Sequence, residues 1–302
     1  FLGDYIYEYP GAANAVRTTP GGWVTTLDDY RARYALHRSE PEVQAMHAAC
    51  PWLVTWDDHE VQNDYAGLVA GDSGPPVADF AARRAAAYQA FYEHMPVRAA
   101  ALTRGMAGLF AGAETRLYSQ QRFGQLANIV LLDDRQYRDD HACNIGGKPG
   151  SSTVDPQTCA IWDDPKRTLL GAAQEQWLDA TVAQQGATWT IFGQQTLFGQ
   201  RDFKAGEGRM LWNDGWDGYP AARKRFTDTL QRRSAANPVL LGGDVHENWV
   251  GHVKADYAKA DSAPVGIELC GTSITSRSAG NSRIAPVLAE NPHFIFADSD
   301  RK

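Results

Sequence analysis

Five apolar stretches of the 302-residue chain each run directly into side chains able to bind a cation or carry a proton. Phe1-Leu2 leads to Gly3-Asp4-Tyr5-Ile6-Tyr7, and PWLVTW leads to Asp57-Asp58-His59-Glu60 and then Asn63. NIVLLD leads to Asp134-Arg135, WTIFG to Gln194-Gln195, and PVLLGG to Asp244-Val245-His246. Open α/β sheets bind ligands beyond the carboxyl ends of their strands, so strand ends meeting in one crevice would build a polydentate metal site. Asp, His, Asn and Tyr offer oxygen and imidazole donors, which suit Fe, Mn, Ca, Mg or Zn. Two cations sharing a bridging Asp would activate and orient a water and neutralise a phosphoryl group. Taken singly these residues say little. Asp4 alone reads as a turn or cap residue, His59 as a satisfied structural histidine, and Tyr7 as a packed aromatic. The repetition of strand then ligand is what points to a site.

Positioning these groups requires a sheet with covering helices. Residues 27–50 have helical spacing, with Pro41 near the start of a second helix, and LDDY at 27–30 reads as a capped helix start. Residues 51–56 read as a short buried strand, and 78–94 as an Ala-rich helix ended by Pro96. A hairpin is expected over 115–132, helices over 171–185 and 220–235, and strands over 189–195, 238–244 and 265–273. Strands alternating with helices, plus a hairpin, predict an α/β layered fold with a mixed sheet in one domain. Gln194 and Gln195 are expected in or beside the cleft. Arg135 either joins them or pairs with Asp133 or Asp134. Trp56 and Trp249 either wall the site or pack the core.

The net charge of −7 argues against nucleic acid as the main partner, because phosphate backbones are gripped by basic faces. It leaves small phosphorylated substrates open, since a bound metal supplies local positive charge. No apolar run is long enough to span a membrane, and no signal peptide is visible. Of the four cysteines, Cys143 and Cys159 bracket a loop rich in Gly, Ser, Pro and Asp, where a disulfide is expected in an oxidising compartment. Cys50 and Cys270 sit in apolar contexts and read as buried free thiols, and none of the four has zinc-site spacing. No Ser, Cys or Thr occupies a nucleophile elbow, so a covalent intermediate is not expected.

The segments GDYIYE (3–8), residues 27–67 including TWDDHEVQN, AARRAAAYQAFYEHMPVR (81–98), LLDDRQYR (131–138), WDGYPAAR (216–223), NPVLLGGDVHENW (237–249) and GTSITS (271–276) closely resemble the PhoD-type alkaline phosphatases. The likeness implies a metallophosphoesterase-like four-layer α/β/β/α sandwich with mixed sheets, a secreted or periplasmic location, and hydrolysis of phosphomonoesters and phosphodiesters. It implies iron (Fe3+) with calcium (Ca2+), other divalent metals being alternatives. Carried over by motif, Asp4 would bridge two metals and Tyr7 would bind iron as a phenolate. Asp58 and Asn63 would face the second metal, His59 would lie close to substrate, and Asp244 and His246 would complete the cluster. Arg83 or Arg84 would meet the substrate phosphate. Gly3 would allow close backbone approach beside Asp4, with Tyr5 turned away and packed.

Members of that family carry more chain before GDYIYE, including an N-terminal β domain and a cysteine that helps bind iron, and further strands after the NPH segment. Residues 1–302 therefore resemble a catalytic core without those parts. The reading that follows is a metal-dependent phosphoesterase, with a metal-activated water attacking phosphorus in line and the cations and an arginine stabilising the growing charge. Its substrates would be phosphate esters, small-molecule or derived from phospholipid or nucleotide, with no stable nucleic-acid complex. The rivals are a phosphodiesterase or phospholipase preference on the same centre, a metal- or phosphate-binding core without turnover, and a disulfide-stabilised structural protein.

Overall fold

The computed structural model describes residues 1–11, 15, 18–101, 115–259 and 261–300. Its helices start where local chemistry favours them. α1 (Leu27–Arg38) opens on a capping box in which Thr26 and Asp29 each accept the other's backbone N–H. Pro41 occupies the first turn of α2 (Pro41–Ala49), where its missing N–H costs nothing. Asp79 caps α3 (Phe80–His94) by accepting from Ala82 N–H at 2.9 Å. α4 (Gly171–Val182) and α5 (Pro220–Arg232) fall where the sequence predicts helices.

A seven-stranded sheet has the order β1-β2-β4-β6-β8-β7-β9. Its members are β1 (Ser119–Phe123), β2 (Ala127–Leu131), β4 (Trp189–Gly193), β6 (Pro238–Gly242), β7 (Asn248–Lys254), β8 (Pro264–Cys270) and β9 (Phe294–Asp298). A separate antiparallel pair joins β3 (Thr153–Val154) to β5 (Leu211–Trp212). Strands β2, β4, β6 and β8 run parallel, β1 and β7 run against them, and β9 pairs antiparallel with β7, giving the mixed sheet expected of the α/β class. Leu131 lies opposite Gly193, and Gly242 opposite Cys270, so the carboxyl ends of the parallel strands emerge along one edge.

One sheet face supplies Val130, Phe192 and Leu240, which pack on Leu178 and Val182 of α4 and Phe226 and Leu230 of α5. A second cluster joins Tyr30 and Tyr34 of α1, Ala87 and Phe91 of α3, Ile6 and Trp56. Each fully buried apolar side chain contributes about 1.5–3 kcal/mol, so these layers fix the strand edge that carries the polar residues.

The structure corrects some expectations. Residues 51–56 form no strand; Thr55 makes a single parallel bridge to Leu2. Side chains take over from a ladder there: the Thr55 hydroxyl donates to the Leu132 carbonyl at 3.2 Å and accepts from the Gln195 amide at 2.7 Å. Strands β7 and β9 and helix α6 (Asn281–Glu290) have no counterpart in the sequence reading, and α6 holds Pro286 in its interior, a residue that reads as a breaker. Cys143 and Cys159 form the expected disulfide. Cys270 is buried, but Cys50 is exposed, because it follows α2, which buries none of its residues.

Candidate metal centre

Asp4 and Asp57 reach the sheet edge through the Leu2–Thr55 bridge. Gly3 has φ +113°, and a Cβ placed there would fall 2.3 Å from the Asp57 Cβ, so only glycine admits the approach of the two segments. Asp4, Asp244 and His246 have φ of +57°, +66° and +57°, sharply turned backbone that aims successive polar side chains inward. Carboxylate oxygens of Asp4, Asp57, Asp58 and Asp244 all lie within 4.8 Å of one another, and Asp4 and Asp58 make a second such group with His59.

Hydrogen bonds hold this geometry. The Tyr7 hydroxyl donates to Asp4 Oδ2 at 3.0 Å, sits 3.0 Å from His246 Nε2 and accepts from Ser276 Oγ at 2.7 Å. Asp58 accepts the N–H groups of His59 and Asp64 at 2.8 and 2.7 Å. Asp244 accepts from Thr196 Oγ1 at 2.8 Å. His59 Nδ1 lies 2.7 Å from Glu8 Oε2, and Glu8 Oε1 accepts from Asn63 N–H and Ser73 Oγ. Glu60 accepts the N–H groups of Asp4, Tyr5 and Asp57. Beneath the cluster, Arg135 Nε bonds Asp57 and its Nη1 bonds Asp214 at 2.8 Å, while Nη2 lies 3.9 Å from Asp58 and 4.0 Å from Asp244.

The electrostatics follow from crowding acids in a dry place. Burial, opposed by Arg135 and reinforced by the neighbouring carboxylates, pushes Asp57 and Asp244 well above the usual carboxylate range and raises Asp58. Burial also raises the Tyr7 phenol well above its ordinary value, with Asp4 adding to it. Burial works against a charged His59, yet Asp58, Glu8 and Asp4 hold its pKa well above the usual value. Asp4 Oδ1, Asp57 Oδ2 and Arg135 Nη2 are buried without hydrogen-bond partners. Orphaned oxygens on mutually repelling carboxylates are what a cation would satisfy, so the donor set fits a metal.

Among the sequence-predicted residues, Asp4, Tyr7, Asp58, His59, Asp244 and His246 come together. Asn63 lies on the adjoining segment, and its amide donates to Asp72 at 3.1 Å. Arg83 and Arg84 are the two arginines expected to meet the substrate phosphate. Both are buried in α3, where Arg83 bonds the Tyr30 hydroxyl and the Val24 carbonyl, and Arg84 bonds the carbonyls of Gly67 and Gln136. These bonds tie α3 to the neighbouring segments, and Arg83 Nη1 is buried without a hydrogen-bond partner. Arg135 joins neither Asp133 nor Asp134 by its side chain but reaches Asp57 and Asp214. Gln194 and Gln195 stitch strand ends together, bonding Trp216 and Thr196, and Thr55 and Leu132. Trp56 stacks on Tyr88 and Trp249 packs on Phe294, both in the core. Sequence reasoning gave no part to Glu8 or Asp214 and named Asp57 and Glu60 only as members of a polar run, although Glu8, Asp57 and Glu60 stand inside the motif segments.

Similarity to known proteins agrees with this arrangement. A PhoD-like phosphatase family model matches residues 1–302. "Alkaline phosphatase D" of Bacillus subtilis (strain 168) is 42% identical over 308 residues, covering 99% of this chain and 50% of that protein. A solved structure titled "Structure of PhoD" superposes with a TM-score of 0.86 at 40% identity, covering 99% of this chain and 56% of the other. The chain thus spans about half the length of the curated relative it matches. Matched along its whole length by that family, and alike in both sequence and fold to two of its bearers, the chain belongs to the PhoD-like phosphatase family.

Proposed function

We propose that residues 1–302 form a single catalytic core that hydrolyses phosphate esters, monoesters and diesters alike, with bound metal. The observation that carries this is the buried group of Asp4, Asp57, Asp58 and Asp244, with carboxylate oxygens mutually within 4.8 Å. Asp4 would be shared by two cations. Tyr7 and His246 would supply donors that favour Fe3+, and Asp58 with Asn63 would supply oxygen donors that favour Ca2+. Bound cations would polarise the phosphoryl group and lower the pKa of a water. His59 is held by Glu8 through Nδ1, which leaves Nε2 to orient the phosphate or protonate the leaving alkoxide. Arg83 and Arg84 hold the scaffold. The Cys143–Cys159 disulfide supports an exported, oxidised setting, and among the described residues no helix is long and apolar enough to cross a membrane.

The test is hydrolysis of p-nitrophenyl phosphate and bis-(p-nitrophenyl) phosphate at alkaline pH, on protein purified without chelator. EDTA should abolish the activity and added calcium should restore it. Folded protein that hydrolyses neither ester, or that is indifferent to EDTA, would end the reading.

A further inference from the structure

The acidic cluster accounts for cations and a phosphoryl group but not for the rest of an ester. Beside it stands a row of rings. The Tyr7 and His59 centroids are 4.1 Å apart; Tyr9 lies 5.4 Å from His59 at 85° and 5.2 Å from Tyr7. Trp23 follows, 6.3 Å beyond Tyr9 at 71°. Exposure rises along this row, from 7% at His59 through half-buried Tyr9 to 38% at Trp23, so it leads from the cluster to solvent.

The outer rings are held in place. Buried Arg33 donates through Nη1 to the carbonyls of Tyr7 and Tyr9 and through Nη2 to that of Gly22 at 3.1 Å. One guanidinium thus ties together the two segments that carry Tyr9 and Trp23. Val24 N–H adds a bond to the Glu8 carbonyl at 2.8 Å. Gly74, at φ +84°, lies so near Trp23 that a Cβ would sit 2.7 Å from its Cε3. An exposed tryptophan gripped in this way, one ring beyond the Tyr9 that meets His59, is more than an incidental surface ring.

We propose that Tyr9 and Trp23 form the leaving-group wall of this site and select phosphate esters whose alcohol carries a planar ring. The proposal rests on the phosphoesterase reading for where the phosphate sits. Aromatic rings reward planar partners in stacked or edge-on geometry, whereas a flexible chain gains only buried area. The single ring step of 5.4 Å from His59 to Tyr9 suits an aryl ester, and the further 6.3 Å to Trp23 suits a nucleoside, with its sugar between phosphate and base.

The test uses phosphonates, which bind without being cleaved. Methyl-, phenyl- and octylphosphonate and a nucleoside 5′-phosphonate are titrated calorimetrically into the metal-replete protein. The ring-bearing ligands should bind about three- to tenfold tighter than methylphosphonate, the size of one aromatic pairing. Trp23→Ala should bring the nucleoside-to-methyl ratio to about one, and Trp23→Phe should recover most of it. Tyr9→Ala should do the same for the phenyl-to-methyl ratio, and whichever ratio is larger in the unaltered protein names the source. Equal binding of all four ligands, or no binding of any, overturns the wall. So does octylphosphonate binding as tightly as the ring ligands and losing as much in Trp23→Ala, which would assign an apolar chain instead. Ring selectivity without hydrolysis of any ester would sink the phosphoesterase reading and leave the wall standing.

Discussion

Glu60 performs no chemistry in the site, yet the N–H groups of Asp4, Tyr5 and Asp57 all point at its carboxylate. It joins the two segments whose acids must meet. Replacing it with alanine would strand three buried donors at about 1–3 kcal/mol each, so Glu60→Ala should lose roughly 3 kcal/mol or more. It should also bind less metal, because Asp4 and Asp57 are no longer held in register. Urea titration and metal analysis of the purified variant measure both, and an unchanged metal content would separate Glu60 from the site. Glu8 has the same character, fixing His59 on one side and the Asn63 backbone on the other. Asp4, Asp58, His59, Asp244 and His246 were legible in the sequence because each follows closely on an apolar run. The roles of Glu8 and Glu60 were not, although both stand beside those residues. Apart from Asp57 N–H, their partners are groups more than fifty residues away, and a carboxylate bonded to distant groups leaves little local pattern.

Among the elements, the loop closed by Cys143–Cys159 reaches into the site. Ser151 N–H donates to Asp64 Oδ2 at 3.1 Å, and Asp64 N–H donates to Asp58 Oδ2 at 2.7 Å. Asn213 fastens the same loop through Ser152 N–H and through Asn144. A loop of this length gains about 3 kcal/mol from its cross-link, so the double variant Cys143→Ser/Cys159→Ser should be destabilised by about that amount. Loosening Ser151 also loosens Asp64, so the variant should release metal to a chelator faster than the unaltered protein. Equal release rates, with stability lowered, would make the disulfide a staple only. The disulfide and the helices α3, α4 and α5 were readable, since composition and helical period are local signals. β7 and β9 were not: β7 opens directly on the polar Asp244–Asn248 stretch, and β9 pairs with it from more than forty residues away. The apolar run 51–56 misled for the opposite reason, because hydrophobicity marks burial and not a ladder, and Gln195 and Leu132 hold it through the Thr55 hydroxyl.

At the scale of the whole molecule, an acidic chain has buried many of its acids. Burial lifts Glu60 to about 8, helped by Asp4, lifts Asp134 and Glu268 to about 7 and Asp64 to about 6, and raises Asp57, Asp58 and Asp244. A carboxyl whose folded pKa exceeds its unfolded value binds more protons when folded. Its contribution is complete below about pH 4 and is lost as pH rises through the folded value. His59, also raised, acts in the same direction, its contribution complete below about pH 6.5 and lost as pH rises through its raised folded value. Asp214, which Arg135 and Arg138 hold well below the carboxylate range against its burial, acts oppositely but in the acid range. Between pH 5 and pH 8 the raised groups outnumber His293, which burial lowers to about 4 and which opposes them up to about pH 6.5, so the chelator-stripped protein should lose several degrees of Tm across that interval. Cations bind only the folded arrangement of ionised carboxylates, and so should raise Tm more at pH 8 than at pH 5. Scanning calorimetry at the two pH values, with and without calcium, reads both effects. A metal-free Tm that is flat or climbs with pH would mean that the acids are already compensated within the protein. The cluster would then need no cation to be stable, and the case for a metal centre would lose its electrostatic ground.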